Sequence, residues 1–475
     1  MSIMSDIECD RSTDGSRPLL AQSDPSPGAS AYLLNQRTEL EHIARAAADR
    51  AVRAGVGDVI ASASETGGVV LRARGGLFDS AVREGAQSLS IKVFEHGRTG
   101  TAITSAFNRE AVDLAVDRAI AIAREVEPDS ETAMPAPEWL ARNAPEIPLF
   151  DPWRISPQEL GRNALEIEAA VQTSGDATLR VSEAGVSTMD ACSAIAIGRD
   201  FDRSIVASRH DSWCVALAER DGLMASDWWS SSDRRAAHLL SPVELGAIVA
   251  ERAVRKLGGR TLDSRSCPIL LDAVVAPSIV LELSSALSGQ AQFNKATFLA
   301  EGKGAQALAA HVDLIEDPFE PFGLASGACD SEGVGGEARH IIRSGVVEDF
   351  FLSCLHARKL GLKPTGNADG VRNLRLDSRE PAAPLSALLR TMGRGLWVTD
   401  LIGGAVDPVS GTYSKAAAGF WVEDGEVAFP VQDITIAGEL PQMLKQIVAV
   451  GSDVYRRGAV RSGSLLIESM RVSGR

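Results

Sequence analysis

The chain of 475 residues carries 63 Asp and Glu residues against 48 Lys and Arg, which gives a formal net charge of -15 and a pI of about 5.1. Because phosphate groups would be repelled, this balance argues against nucleic acid and anionic membranes as partners. The length exceeds one ordinary domain, and the hydrophobic fraction of 45% is that of a globular protein, so two or three domains are expected.

The first segment of the chain, residues 1–35, is rich in Ser, Asp, Pro and Gly, which predicts a disordered tail. It lacks a basic start followed by an apolar stretch, so no secretory signal is expected, and no apolar run in the chain is long enough to span a bilayer. The six cysteines form no CxxC pair, which indicates reduced thiols and a cytoplasmic protein.

Residues 36–130 are predicted to form an α+β domain that reads helix, strands, helix. The first helix is expected over residues 39–54 with Thr38 as its N-cap, and the second over residues 109–126 with Asn108 as its N-cap. Between them, apolar and polar residues alternate as they do in half-buried strands.

Residues 131–260 repeat this order after a Pro-rich linker. Helices are predicted over residues 157–173 and 242–257, with strands between them. The similar order of elements suggests a duplicated architecture, although no sequence repeat is strong enough to prove it. The predicted fold class is therefore α+β, with duplicated helix–strands–helix units and largely antiparallel sheets.

Residues 261–475 are predicted to form a mixed, β-rich C-terminal domain. Hairpin turns are expected at Ser344-Gly345 and at Asp424-Gly425, the latter a strong type I′ signal. Ser353 is placed to cap a short helix, and a further helix is expected over residues 441–450.

A short helix near the start of this domain, "LELSSALSG", reads as buried. Pro277 suits its first turn and Gly289 a C-terminal stop. Ile279, Leu283 and Leu287 share one stripe at helical spacing. The pattern predicts a core helix.

A search for catalytic motifs is largely negative. The seven histidines are scattered, with no HExxH, and the sequence holds neither a GxSxG elbow nor a phosphate-binding loop. Cys329 and His340 lie in one Gly-rich stretch and could form a nucleophile pair, but ordinary turn chemistry explains the same residues better.

Several C-terminal segments resemble the TldD/PmbA family. The matching pieces are "DSEG" at 330–333, "ARKLG" and "TGNA" within 357–368, "GTYS" at 411–414 and "GFWVEDGE" at 419–426. The N-terminal pattern "GGVVLRARGG…SIKVFEHGRTGTA" is similar to that family as well, so the resemblance covers nearly everything after about residue 39.

The resemblance implies a division of labour between two kinds of subunit. TldD-type chains carry HExxxH on a central helix and a distant third ligand, and they bind a zinc-like metal for peptide hydrolysis. TldE-type chains, also called PmbA, lack these ligands and pair with TldD. Such heterodimers hydrolyse unfolded or small peptides, in general turnover or in the maturation of peptide natural products.

The buried helix occupies the position of the metal helix if Pro277 is the anchor. Glu282 and Leu287 then stand where the two histidines would be, and Leu283 replaces the glutamate base. One carboxylate cannot supply three ligands, and no base remains to activate water. The late Cys ligand is absent too, since no cysteine follows Cys354. We therefore expect no cofactor in this chain and zinc in a TldD-type partner.

Five residues are candidates for lining a substrate chamber, carried over from the family motifs: Asp330, Glu332, Asn367, Tyr413 and Ser414. Such a chamber would hold a peptide through its backbone, as an added strand, because that gives affinity without sequence preference. Turn formation or capping explains these residue types equally well.

Two alternatives to the non-metal subunit are retained. The chain could be a stand-alone regulatory or binding protein, in keeping with the family's older name as a modulator of DNA gyrase. It could also be an enzyme of its own that uses Cys329 or the carboxylate pair of Asp330 and Glu332.

Overall fold

The computed structural model describes residues 30–172 and 178–474. Of the predicted tail, residues 1–29 lie outside this part, and the remainder is ordered. The helices are α1 (Arg37–Arg53), α2 (Arg109–Glu125), α3 (Pro157–Gln172), α4 (Pro242–Arg255), α5 (Ala276–Ala286), α6 (Gly289–Asn294), α7 (Cys354–Lys359), α8 (Leu385–Met392) and α9 (Leu440–Lys445). The strands are β1 (Val59–Arg74), β2 (Leu77–Glu95), β3 (Arg98–Thr104), β4 (Thr178–Ile197), β5 (Phe201–Arg220), β6 (Leu223–Asp233), β7 (Arg265–Leu271), β8 (Val312–Glu316), β9 (Arg339–Arg343), β10 (Val346–Val347), β11 (Leu374–Ser378), β12 (Gly395–Val406), β13 (Thr412–Glu423), β14 (Glu426–Glu439), β15 (Ile447–Val450), β16 (Val460–Arg461) and β17 (Leu465–Ser473).

One antiparallel sheet spans both N-terminal units. Its order is β3-β2-β1-β4-β5-β6, so each unit contributes three strands and the two units meet where β1 pairs with β4. The unit α1-β1-β2-β3-α2 is matched by α3-β4-β5-β6-α4. The predicted duplication of helix–strands–helix units is thus confirmed, and the units share a single sheet.

All four N-terminal helices cover the same face of this sheet. On β1, Ala61 and Ala63 pack with α1 and α2, whereas Val69 and Leu71 pack with α3 and α4. These are all odd-numbered positions of one strand, and alternate residues of a strand share a face. The opposite face, which we call the open face, carries none of the four helices α1 to α4.

The caps of the first two helices differ in how well the sequence indicates them. The side chain of Asn108 accepts a hydrogen bond of 2.9 Å from the backbone N–H of Ala111, as predicted. At α1 the N-cap is Gln36, whose backbone N–H donates to the carboxylate of Glu39, and Thr38 lies inside the first turn. The prediction for α1 was wrong by two residues because Glu39 supplies the capping acceptor.

The entry segment, residues 30–36, crosses the helix-covered face between the two helix pairs. Two buried carboxylates of the sheet hold it. Glu65 accepts a bond of 2.6 Å from the N–H of Leu34, and Asp190 accepts one of 2.7 Å from the hydroxyl of Ser30. Paired in this way, buried carboxylates do not carry the full cost of desolvation.

The C-terminal region contains two sheets, ordered β10-β9-β8-β11-β16 and β14-β13-β12-β7-β17-β15. Both are mixed, since β11 pairs with β16 and β12 with β7 in parallel. The turns at Ser344-Gly345 and Asp424-Gly425 have positive φ at both positions, which confirms the predicted hairpins. The last predicted helix is shorter than expected, because the chain continues into β15 after α9.

Helix α5 lies in the core that both C-terminal sheets share. Gly289 does not end this helix, contrary to the prediction. The helix ends at Ala286, and Gly289 begins α6 instead. Its N–H donates to the carbonyl of Phe351 at 2.8 Å, and a Cβ there would lie 2.6 Å from that of His356. The glycine therefore permits close packing against α7.

In the described residues, no helix combines the length and apolarity needed to cross a membrane.

The close approach of α2 to β3 gives a test of this packing. A Cβ at Gly100 would lie 2.0 Å from the carbonyl oxygen of Ala119, a backbone atom that cannot rotate away. We expect Gly100→Ala to lower the free energy of unfolding by about 1–3 kcal/mol in chemical denaturation, the usual cost of overpacking. The matched control is Gly85→Ala on β2, where the nearest atom is 3.5 Å away. Equal stability of the two variants would contradict this packing.

Candidate functional site

Helix α5 is anchored at its start by a buried aspartate. The side chain of Asp272 accepts 3.0 Å and 3.1 Å bonds from the N–H of Val274 and the indole of Trp397, and its carbonyl accepts from the N–H of Ala276. Burial raises the pKa of Asp272 above its ordinary value. These bonds fix the direction of α5 between the sheets.

The three positions aligned with a metal helix do not fit a metal. Leu283 and Leu287 are fully buried in the C-terminal core and carry no donor atom, while Glu282 is partly exposed. The helix is regular, with the N–H of Leu287 donating to the carbonyl of Leu283 at 3.1 Å. Across residues 30–172 and 178–474, no group of three His, Cys, Asp or Glu residues is arranged to hold an ion.

Tyr413 lies beside this helix on β13. It is 1% exposed, and its hydroxyl has no hydrogen-bond partner in the described structure. Burial, and then the nearby Glu282 carboxylate, raise the pKa of Tyr413. The next residue, Ser414, is partly exposed.

Asp330 organises the loop that joins two of the family motifs. One of its oxygens accepts from the N–H groups of Glu332 and Val334, and the other accepts from the N–H of Ala368 at 3.0 Å. Desolvation nevertheless raises the pKa of Asp330 to about 6. The carboxylate therefore acts as a cross-link between backbone segments.

Glu332 connects the C-terminal region to the N-terminal sheet. Its carboxylate accepts from the N–H of Cys354, the first residue of α7, at 2.8 Å. It also lies 3.6 Å from the ammonium of Lys92 on β2. A carboxylate at a helix N-terminus is favourable, and the lysine compensates its charge on the other side.

Asn367 is part of a buried polar network. Its amide nitrogen donates to Glu316 at 2.7 Å, and its oxygen accepts from Arg339 at 2.8 Å. Arg339 in turn lies 3.0 Å from Glu316 and also bonds Asp349. All polar groups of Asn367 are used within the fold.

A cavity of about 900 Å³ lies between the open face and the C-terminal loops. Its walls come from β1, β4 and β5, from residues 145–150, and from loops around 326–331 and 369–372. Of the five substrate-lining candidates, Asp330 lines this cavity. Glu332, Asn367, Tyr413 and Ser414 lie elsewhere, so their role in binding substrate stays a prediction.

Sequence reasoning missed the arginines of this cavity. Arg203 on β5 and Arg234 after β6 both line it, and each donates to backbone carbonyls rather than to a carboxylate. Burial lowers the pKa of Arg234 to about 10, so it remains charged at neutral pH. No local motif marks these residues, because segments far apart in sequence form the cavity.

The proposed pair of Cys329 and His340 is not brought together by hydrogen bonding. His340 accepts from Arg343 at 2.9 Å and lies 3.9 Å from Asp313. Desolvation raises the pKa of Cys329 to about 11, which keeps its thiol protonated at neutral pH.

Helix α5 provides a paired test of its role as core. Leu283 is fully buried, whereas Leu281 on the same helix is 48% exposed. We expect Leu283→Ala to cost about 2–5 kcal/mol of unfolding free energy through lost burial and cavity formation. Leu281→Ala should change it by less than about 0.5 kcal/mol. Urea denaturation of the isolated chain measures both, and a small effect at Leu283 would argue against a core helix.

The raised pKa of Asp330 predicts a pH dependence of stability. A carboxyl whose pKa is higher in the folded state stabilises the fold below pH 4, and this contribution is lost as pH rises through about 6. The stability of the wild type relative to Asp330→Asn should therefore fall between pH 4 and pH 7, by about 3 kcal/mol at most. Denaturation midpoints across this range test it.

The control for this experiment is Asp424→Asn, at an exposed hairpin turn where Asn is equally suitable. The difference between the two variants isolates the contribution of the buried carboxyl from that of an Asp-to-Asn exchange as such. Parallel pH profiles for Asp330→Asn and the wild type would contradict the prediction.

Known proteins match this chain over nearly its full length. The family described as the PmbA/TldA metallopeptidase C-terminal domain matches residues 264–474. Metalloprotease PmbA of Escherichia coli O157:H7 is 34% identical over 415 residues, which cover 86% of this chain and 91% of that protein. The metalloprotease PmbA homologue of Haemophilus influenzae is 31% identical over 450 residues, 95% of this chain and 99% of its own length.

Similarity to solved structures is equally extensive. A candidate modulator of a DNA gyrase from Thermotoga maritima has a TM-score of 0.82 and 26% identity, covering 91% of this chain and all of that one. TldE from Thermococcus kodakarensis has a TM-score of 0.79 over 90% of this chain and 100% of its own, and at 19% identity it shows the fold alone.

A TldD homologue of Buchnera aphidicola, by contrast, is 23% identical over 150 residues, 30% of this chain and 31% of that protein. Long matches to PmbA proteins, together with the shared fold, identify the chain as a PmbA (TldE)-type member of the TldD/PmbA family.

Proposed function

We propose that this chain is the subunit without metal ligands in a two-subunit metallopeptidase. In this proposal a TldD-type partner contributes the zinc and the hydrolytic chemistry. The chain completes the substrate chamber for small or unfolded peptides in the cytoplasm.

The observation that carries the proposal is the chemistry of α5. At the positions aligned with a metal helix, Leu283 and Leu287 pack into the core, and Glu282 is the single donor side chain. Zinc in a peptidase needs three protein ligands and a group that activates water. An apolar helix at this position supports a chain that relies on a partner for bond cleavage.

The names of the relatives support the link to proteolysis. The proteins of Escherichia coli and Haemophilus influenzae that match over most of their length are both called metalloproteases. If this chain takes part in the same activity, the metal must be held outside the three α5 positions.

The open edge of the N-terminal sheet supports a macromolecular partner. β3 pairs with β2 only from Leu89 to Glu95, so in the described structure no strand lies beside the remainder of that edge, where β2 begins at Leu77. Leu77 and Phe78 at this end are 72% and 60% exposed. Unprotected strand edges and exposed apolar side chains favour association with another chain.

Reconstitution tests this proposal. The chain and its cognate TldD-type protein are purified separately and together, and cleavage of an unstructured peptide and zinc content are measured. We expect no hydrolysis by the chain alone, and hydrolysis by the pair that a chelator abolishes. Glu282→Gln should leave turnover by the pair within about twofold, because a lone carboxylate on α5 has no co-ligands there.

Metal-dependent cleavage by the chain alone would refute the proposal. Failure of the two proteins to associate, or a pair without activity, would favour the stand-alone regulatory alternative. Cleavage that is lost in Cys329→Ala but unaffected by a chelator would favour an independent enzyme.

A further inference from the structure

The cavity between the open face and the C-terminal loops is lined by four arginines, of which Arg37 is paired with Glu41, and by Glu146, which is exposed to solvent. Arg372 is paired with Asp369 at 2.7 Å, and the three backbone N–H groups described above already bind Asp330. In the described ranges, no carboxylate oxygen lies within 4.0 Å of Arg203 or Arg234. An uncompensated guanidinium in a partly enclosed space favours an anionic ligand.

Arg203 lines the cavity with a guanidinium group that is held in one orientation. Its Nε and Nη2 atoms donate to the carbonyls of Ala141 and Ala144 at 2.7–3.1 Å, which fixes the plane of the guanidinium. These bonds leave Nη1 for another acceptor. A planar donor held in place binds a carboxylate with little further loss of side-chain entropy.

The remaining walls suit an amphipathic molecule. Ile195, Ile205 and Ala207 supply apolar surface, and Ser62 and Ser64 supply hydroxyl groups. The volume of about 900 Å³ is within the range for small-molecule and short-peptide sites.

Strand addition is blocked on the cavity walls formed by β1 and β4. β1 and β4 have neighbours on both sides, so their backbone groups are already paired, whereas β5 pairs with β6 only from His210 to Arg220 and its residues 203–207 pair with β4 alone. On these two strands recognition must therefore come from side chains, which can distinguish one ligand chemistry from another.

We propose that this cavity is an anion-selective subsite, in which Arg203 binds the carboxylate of a peptide, from either its C-terminus or an acidic side chain. That the ligand is a peptide rests on the proposed function, whereas the selectivity for a carboxylate rests on the cavity. Binding to the isolated chain is therefore the appropriate measurement, because it does not depend on hydrolysis or on a partner.

Three probes based on tetra-alanine distinguish a C-terminal carboxylate from a side-chain carboxylate. One has a free C-terminal carboxylate, one has a C-terminal amide, and one has the amide with a single Ala replaced by Glu; all have acetylated N-termini. By isothermal titration calorimetry, at least one acidic probe should bind about tenfold or more tightly than the neutral amide, the factor for one charge-assisted hydrogen bond. The probe that does so identifies which carboxylate is bound.

A negative charge added inside the cavity tests whether the probe binds there, and it leaves Arg203 and Arg234 in place. Ala207 lines the cavity from β5, and Ala207→Asp and Ala207→Asn place side chains of nearly equal size there. The Asp variant should weaken the acidic probe more than about tenfold, and the Asn variant less than about threefold. If Ala207→Asp fails to fold by circular dichroism, Ser64→Asp and Ser64→Asn on β1 provide the same comparison.

Equal affinity for acidic and neutral probes, no measurable binding of either acidic probe at millimolar concentration, or equal effects of the Asp and Asn substitutions would each overturn the proposal. Binding by the isolated chain with an inactive pair would refute the proposed function alone. An active pair with no selective binding would refute this subsite alone.

Discussion

The architecture depends on the pairing of β1 with β4. This antiparallel ladder runs from Ile60 opposite Ile197 to Ala73 opposite Ala184, and it joins two helix–strands–helix units into one sheet. Because all four helices then cover one face, the other face is left to the linker and the C-terminal loops, which pack on part of it. The C-terminal loops close one end of that face and so create the cavity. Without the ladder, β1 and β4 would each have one unpaired edge, and the two halves would not share one continuous open face.

The second constraint is that the buried face of α5 carries apolar side chains at Leu283 and Leu287. A helix that binds zinc in a protein core must keep polar side chains, their partners and a path for water within an otherwise apolar region, which is costly. Here Leu283 and Leu287 remove that requirement, and the helix packs regularly between two sheets. Polar groups nearby include the buried hydroxyl of Tyr413 and the carboxylate of Glu282. The same two leucines stabilise this region by burial and carry no atom that could bind a metal.

Local signals in the sequence were sufficient for elements whose causes are local. Asn108 caps α2, and Asp424-Gly425 forms a two-residue hairpin turn, because each depends on residues within a few positions. Gly289 was misinterpreted as a helix stop, since its real cause is the approach of α7, 65 residues later in the chain. The cavity was missed for the same reason. Arg203 is held by carbonyls of residues 141–144, which belong to a Pro-rich linker that carries no catalytic motif.

The family motifs are recognisable in the sequence, but the contacts that their residues make are not. "DSEG" and "TGNA" were predicted to line a chamber, and the structure shows that Asp330 binds the N–H of Ala368, so the two motifs form one cross-linked unit. Asn367 and Glu332 use their polar groups within the fold, on Glu316 and Arg339 and on Cys354 and Lys92. The motif residues thus position the loops at the end of the open face, and the arginines line the cavity. The turn residues of these loops form a recognisable sequence motif. Arg203 and Arg234, which line the cavity, belong to no local motif.

The net charge of -15 gives the cavity arginines a particular significance. A protein with this charge repels anions at long range, and at physiological ionic strength that repulsion is screened within about 8 Å. Inside the cavity, the distances from Arg203 to a bound group are shorter than the screening length and part of the water is excluded, so the local guanidinium dominates. Arg234, held by the carbonyls of Gly323 and Leu324, adds to the same local field. An acidic surface therefore slows the approach of anions but does not prevent a site of this kind from retaining one that has entered.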